Sequence, residues 1–148
     1  MRYLAAAVLS VVIVASTISP ARAAARQVVQ IALRDSSTNP AISGMQMTTE
    51  PTTVKAGRVT ITAVNQSKDL VHEVVVIPAP RHGRELPYNT KTDTIAEKRA
   101  HAKGEISDLK PGAHGSVTLS LTPGTYLLVC NQPGHYKSGM FTRLVVEE

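Results

Sequence analysis

Three residues near the end of the chain offer a thiol, an imidazole and a thioether within eleven positions. Cys130, His135 and Met140 lie in the stretch CNQPGHYKSGM, four residues separate each from the next, and Cys130 is the only cysteine of the chain. These soft or borderline ligands together suit copper in both of its redox states. Without a metal, the plainer interpretation of Cys130 is a small thiol buried in the core.

A fourth ligand must come from elsewhere in the chain, and His72 is the candidate. It lies in Leu70–Ile77, a dense apolar run typical of a strand covered on both sides. Strand periodicity points His72 inward, on the same face as three apolar residues: Leu70, Val74 and Val76. A buried imidazole without a partner is costly, and a metal is a natural partner for it. Two histidines, one thiolate and a weak methionine form the ligand set of a blue-copper electron-transfer site.

The elements that must position these ligands read as short β-strands separated by turns that contain Gly, Pro or Asn. The predicted strands are Val28–Leu33, Val59–Val64, Leu70–Ile77, Ser116–Leu121, Tyr126–Cys130 and Phe141–Val146. In Val59–Val64, alternate residues form one apolar face. In Tyr126–Cys130, the cysteine lies on the same face as Tyr126 and Leu128. The pattern predicts an all-β fold, either a β-sandwich or a β-barrel.

One long polar connection, Pro78 to Gly112, interrupts this succession of short strands and turns. A connection of this length is uncommon inside a compact domain. It is expected to be a functional loop, a crossing between the two sheets or a mobile excursion, and Ile95–Ala102 could form a short helix within it.

The C-terminal third resembles the cupredoxins, the family of plastocyanin, azurin and rusticyanin. Pro123–Cys130 is similar to their strand before the copper cysteine, and Asn131–His135 to their ligand loop; the C-x4-H-x4-M spacing is most similar to rusticyanin. The resemblance extends more loosely over roughly Gln27–Glu148.

This resemblance implies a cupredoxin-like fold, an antiparallel Greek-key β-sandwich of about seven or eight strands. It implies one copper ion held by four residues: His72, Cys130, His135 and Met140. It also implies an apolar docking patch around His135 for redox partners such as c-type cytochromes, oxidases or reductases. One departure concerns the residue after the first histidine. Plastocyanin and azurin usually place an asparagine there that ties the two ligand loops together, and this chain has Glu73.

The N-terminus has the order of a secretory signal peptide. Arg2 precedes the uncharged stretch Leu4–Ile18, and Ala21-Arg22-Ala23 forms a small-x-small cleavage site. The expected domains are therefore a signal peptide at 1–23 and one copper domain at 24–148, placed in the periplasm or otherwise exported. Contact with a membrane is expected only if the signal remains uncleaved as an anchor.

Charge and composition exclude some partners. The chain has 16 Lys and Arg against 11 Asp and Glu, and without Arg2 and Arg22 the mature part keeps 14 against 11. This mildly basic balance suits an encounter with an acidic protein surface or an anionic membrane face. No basic run with interleaved aromatic residues is present, so nucleic-acid binding is not expected. The mature protein is expected to be a monomer.

Several functions fit this ligand set. The principal hypothesis is a one-electron carrier between redox partners, and the alternative is a copper chaperone or storage protein that delivers the ion. An enzyme is not expected, because further copper centres commonly use His-x-His pairs and the chain has none.

Zinc could occupy the same cysteine and histidines. A second metal site could involve His82, His101 and His114, and a Cu(I) site Met45 and Met47, although solvated histidines and core methionines are the plainer interpretations.

Overall fold

The computed structural model describes residues 27–35, 44–81 and 85–148. The predicted signal peptide at 1–23 and His82 lie outside the described residues. Within the described ranges, no helix is long and apolar enough to cross a membrane.

The described residues form a two-sheet β-sandwich, which confirms the predicted fold class. Their strands are β1 (Gln27–Arg34), β2 (Gln46–Glu50), β3 (Thr53–Lys55), β4 (Gly57–Asn65), β5 (His72–Pro78), β6 (Tyr88–Asn89), β7 (Thr94–Ile95), β8 (Gly104–Leu109), β9 (His114–Leu121), β10 (Gly124–Val129) and β11 (Phe141–Glu147). One sheet has the order β2-β1-β4-β9 and the other β3-β11-β10-β5-β8, while β6 and β7 form a separate ribbon.

The six predicted strands all correspond to observed strands, with boundaries shifted by up to two residues. Two strand pairs, β1–β4 and β3–β11, are parallel, whereas antiparallel pairing was expected throughout. Parallel partners require a connection that crosses over before the chain returns. The short strands β3, β6 and β7 raise the strand number above the expected seven or eight, because segments of two or three residues carry no readable alternation.

The core lies between the two sheets and is built from the inward residues of both. Val59, Ile61 and Ala63 are buried on one predicted face of β4, and Tyr126 and Leu128 on the corresponding face of β10. In β5, the four residues 74–77 are all buried, because both faces of this strand are covered. His72 is the first residue of β5, so the metal-ligand candidate lies at the start of this buried strand.

The long polar connection supplies one sheet strand and the ribbon rather than a helix. Residues 97–101 form turns in which the backbone N–H of Ala100 donates to the carbonyl of Ala96 at 2.9 Å. His101 then adopts a positive φ of 56°, which ends the helical course, and Lys103 donates to the carbonyl of Val76. The expectation of a helix at Ile95–Ala102 is therefore wrong: the chain turns back to pair β8 with β5.

Candidate metal centre

The four predicted ligands come from two neighbouring strands and the loop between β10 and β11. His72 begins β5, Cys130 directly follows β10, and β10 pairs with β5. The loop after Cys130, here called the ligand loop (residues 131–139), contains His135 and returns to Met140 just before β11. The N–H of Cys130 donates to the carbonyl of Met140 at 3.0 Å, and the N–H of Met140 donates to that of His135 at 3.1 Å. Backbone pairing therefore holds the two ends of the loop together.

Three of the predicted ligands converge through one atom each. The Nδ1 atoms of His72 and His135 are 3.2 Å apart, and they lie 3.7 Å and 3.3 Å from the Sγ of Cys130. Among the described residues, these three form a group with the geometry to hold a metal ion. The two imidazole rings are tilted by 60°, so their Nδ1 atoms meet without stacking of the rings.

The triangle has the size that a metal with nitrogen and sulfur ligands requires. The three separations place a point about 2.0 Å from each of the atoms, close to metal–nitrogen and metal–sulfur bond lengths of roughly 2.0–2.3 Å. The buried Nε2 of His72 has no hydrogen-bond partner in the described structure. The Nδ1 of His72 instead faces the thiol of Cys130 and the Nδ1 of His135, and a metal bound among these three atoms would be a common partner for them.

Burial sets the protonation of these groups. Burial, with the neighbouring His135 as a second cause, lowers the pKa of His72 to about 4. Burial also lowers the pKa of His135, while the nearby Asp35 carboxylate opposes the change. The pKa of the Cys130 thiol is raised to about 11, again chiefly by burial. At neutral pH the metal-free site therefore holds two neutral imidazoles and one protonated thiol.

Met140 lies in the same buried core cluster as Cys130 and is fully buried. Its backbone contacts to Cys130 and His135 place it at the base of the ligand loop. If copper were bound here, the thioether of Met140 would offer it a soft, weak donor without adding charge to an apolar site. The structure thus brings all four predicted residues into one region.

Glu73 directly follows His72, at the position where the sequence departs from the asparagine of plastocyanin and azurin. Both its backbone and its side chain contact the segment that begins at Cys130. Its N–H points at the Sγ of Cys130 at 3.5 Å, which links the two ligand-bearing segments directly. Its half-buried carboxyl has a pKa raised to about 7, first by burial and then by three nearby carboxylates, while the N–H of Asn131 opposes the rise. The side chain is acidic, so it cannot supply the amide donors of an asparagine.

Asn65 supports the His72 side of the site, a role that its place in the sequence did not reveal. The fully buried side chain donates from Nδ2 to the carbonyls of Leu70 at 2.8 Å and Leu109 at 2.7 Å. Its Oδ1 accepts from the N–H of Ser67 at 2.9 Å. These bonds fix the turn that leads into His72, and the only sequence signal was an Asn at the head of the turn Asn65-Gln66-Ser67.

The other candidate residues lie apart from this centre. Leu70 precedes β5 and is 37% exposed, so its expected inward position beside His72 is wrong: the turn held by Asn65 rotates it outward before the strand begins. His101 and His114 are exposed. Met47 is buried and Met45 packs against the same core, which agrees with core packing for both methionines.

Copper uptake near pH 7 is expected to release about one proton per ion. The thiol must lose its proton to bind, whereas both imidazoles are already neutral because their pKa values are lowered. Copper affinity should consequently fall about tenfold for each unit of acidification around neutrality. Calorimetric titration of the metal-free protein with Cu(II) in buffers of different ionisation enthalpy measures the proton count. A count of zero would show that the thiol does not bind the ion.

Comparison with known proteins places the chain among copper proteins. A model of the sulfocyanin (SoxE) domain matches residues 21–148. The reduced auracyanin of the photosynthetic bacterium Roseiflexus castenholzii is 20% identical, with a TM-score of 0.56, covering 85% of this chain and 100% of its own. Auracyanin B is 26% identical, with a TM-score of 0.56, covering 80% and 88%. Rusticyanin from Thiobacillus ferrooxidans is 19% identical, with a TM-score of 0.57, covering 82% and 78%. No curated protein sequence matches the chain.

Proposed function

We propose that this chain, which belongs to the sulfocyanin (SoxE) domain family and is a blue copper cupredoxin, acts as an exported one-electron carrier between redox proteins. The observation that carries the proposal is the buried triangle of two Nδ1 atoms and one Sγ, with separations of 3.2–3.7 Å. When bound there, copper would supply reversible one-electron chemistry between Cu(I) and Cu(II).

In this proposal His72, Cys130 and His135 are the three strong ligands and Met140 is the weak fourth. His72 and Cys130 are held by paired strands of one sheet, and the Cys130–Met140 backbone bond closes the loop that holds His135. Such fixed attachments resist a change of ligand positions between two charge states of an ion. A set of ligands that stays in place suits electron exchange, because little reorganisation accompanies each transfer.

His135 is the proposed point of electron exchange with partners. It is partly exposed, whereas His72, Cys130 and Met140 are fully buried. Phe141, which is 43% exposed, lies with its ring 5.4 Å from that of Tyr136, the residue that follows His135, so exposed aromatic surface lies near this part of the ligand loop. Small and weakly bound contacts of this kind suit rapid exchange with a cytochrome, an oxidase or a reductase.

The alternative of a copper chaperone requires ligands that can release the ion to a second protein. Two of the three strong ligands are inaccessible to solvent, and both ends of the ligand loop are fixed by backbone pairing. Extra metal-binding groups near the site would ease a handover, but His101 and His114 are exposed residues of other segments. We therefore favour the carrier, and we propose no enzymatic activity for this single domain.

We further propose that residues 1–23 direct export and that 24–148 form the mature copper domain. The charged start, the apolar stretch and the small-x-small site carry this proposal. An exported location also fits a single thiol that is buried, because a buried thiol is shielded from the oxidising surroundings. Mass spectrometry of the secreted or periplasmic protein would determine whether it begins at Ala24.

The function is tested by cycling the copper-loaded protein between oxidised and reduced states in the presence of a Cu(I) chelator. A carrier should show a reversible one-electron voltammetric wave and keep its copper through repeated cycles. Stoichiometric loss of Cu(I) to the chelator on first reduction would contradict the carrier and favour the chaperone.

A further inference from the structure

Asn131 follows Cys130 directly and has no part in the ligand set, yet its side chain is 7% exposed. We propose that Asn131 is a positioning residue of the copper site, which fastens the ligand loop to the β6–β7 ribbon and so fixes Cys130 and His135. The inference rests on the proposed function, since a fastened loop matters most if it holds a metal.

The side-chain amide of Asn131 is fully engaged with the ribbon. Its Oδ1 accepts from the N–H of Ile95 at 2.6 Å, and its Nδ2 donates to the carbonyl of Ile95 at 3.1 Å. The same Nδ2 donates to Oε1 of Glu97 at 2.7 Å. The backbone N–H and C=O of Ile95 both bond to this amide. These are the two bonds that a neighbouring strand would make, so the Asn131 side chain takes the place of a strand beside β7. A buried amide satisfied in this way holds one geometry, because each broken bond would leave a buried polar group unpaired.

A second fastening joins the same two segments. The N–H of Gly134 donates to the carbonyl of Asp93 at 2.9 Å, directly before His135. Gly134 has a φ of +80°, and a Cβ there would lie 3.2 Å from the Asp93 carboxylate, so glycine permits the close approach. Lys137 donates to the same carboxylate at 3.4 Å, an exposed contact of little strength.

These bonds give part of the long polar connection a structural role, because residues 93–95 hold the ligand loop. Glu73 stands where plastocyanin and azurin usually place an asparagine that ties the ligand loops. Its N–H points at the Sγ of Cys130, and its carboxyl accepts from the N–H of Asn131. The ribbon, which lies in the connection, adds a further tie, because the backbone of Ile95 binds the side-chain amide of Asn131. Because Asn131 is bonded covalently to Cys130, movement of its side chain would shift the thiol relative to both imidazoles.

The test compares Asn131→Ala with Asn89→Ala. Asn89 is an exposed ribbon residue whose side chain accepts from the N–H of Lys91 within its own turn. In the metal-free protein, amide hydrogen exchange should accelerate at Ile95 and Gly134 in Asn131→Ala, while the amides of β1 and β4 keep their protection. Asn89→Ala should leave these rates unchanged.

In the copper-loaded protein, Asn131→Ala should keep a thiolate-to-copper band but release Cu(I) to a chelator roughly 10–100-fold faster, as loss of a partner that orients ligands commonly does. Its voltammetric potential should also shift from that of the wild type.

The two measurements separate the possible failures. If the wild type forms no thiolate–copper band, the proposed function fails, and hydrogen exchange still decides whether Asn131 fastens the loop. Unchanged exchange at Ile95 and Gly134 in Asn131→Ala would overturn the inference, and so would acceleration spread evenly over the whole sandwich. Should exchange change selectively while copper release and potential stay at wild-type values, the positioning role would be overturned as well.

Discussion

Cys130→Ser should abolish the intense thiolate-to-copper absorption of the copper-loaded protein. The Sγ of Cys130 lies 3.3 Å and 3.7 Å from the two imidazole nitrogens, and no second cysteine exists to replace it. A serine hydroxyl at this position is a hard and neutral donor, which suits Cu(I) poorly. Copper affinity should therefore fall by more than the roughly 10–100-fold that loss of an orienting partner costs. Visible absorption and EPR spectra of the copper-loaded variants measure the effect.

Two methionine variants provide the comparison for Cys130→Ser. Met140→Leu keeps the thiolate and both imidazoles, so an intense band should remain while the redox potential changes with loss of the axial donor. Met47→Leu replaces a buried core methionine of β2 with a residue of similar volume, which costs less than about 1.5 kcal/mol, and its spectrum should match the wild type. An intense band that survives in Cys130→Ser, with circular dichroism showing a folded protein, would contradict the proposed ligand.

The proposed ligand set could be derived from the sequence because each member carries a local signal. Cys130, His135 and Met140 share one loop, so their proximity follows from covalent connection and a tight turn. His72 stood out because an imidazole inside an apolar strand requires a partner. The pairing of β5 with β10, which brings His72 beside Cys130, was not readable from either strand alone; it entered through the resemblance to cupredoxins.

The supporting residues could not be predicted, because their partners are backbone groups far away in sequence. Asn131 bonds the backbone of Ile95, 36 positions away, and Asn65 bonds the carbonyl of Leu109, 44 positions away. Backbone partners leave no residue-type pattern, so neither asparagine has a readable counterpart. Strand β8 was missed for a related reason: its sequence GEISDL buries only Ile106 and Leu109, too few apolar residues to show alternation.

Asn65→Ala is expected to lower the free energy of unfolding by about 3–5 kcal/mol. The side chain makes three hydrogen bonds in a fully buried position. Truncation takes the Asn65 partner from the N–H of Ser67 and from the carbonyl of Leu109, and each unsatisfied buried group costs about 1–3 kcal/mol. The carbonyl of Leu70 keeps a second donor, the hydroxyl of Ser67 at 3.2 Å. Some of this loss is offset if water enters the space of the amide. Urea unfolding of the metal-free protein, followed by circular dichroism, measures the change.

A change of one atom sharpens the same prediction. Asn65→Asp keeps the acceptor for the N–H of Ser67 but turns the donor group into an oxygen that faces the carbonyls of Leu70 and Leu109. Two bonds become repulsive contacts in a buried site, so the loss should equal or exceed that of Asn65→Ala. Asn89→Ala, at an exposed turn, should change stability by less than about 0.5 kcal/mol. If Asn65→Ala lost no more stability than Asn89→Ala, the amide would not be what joins β4, the turn before His72 and the end of β8.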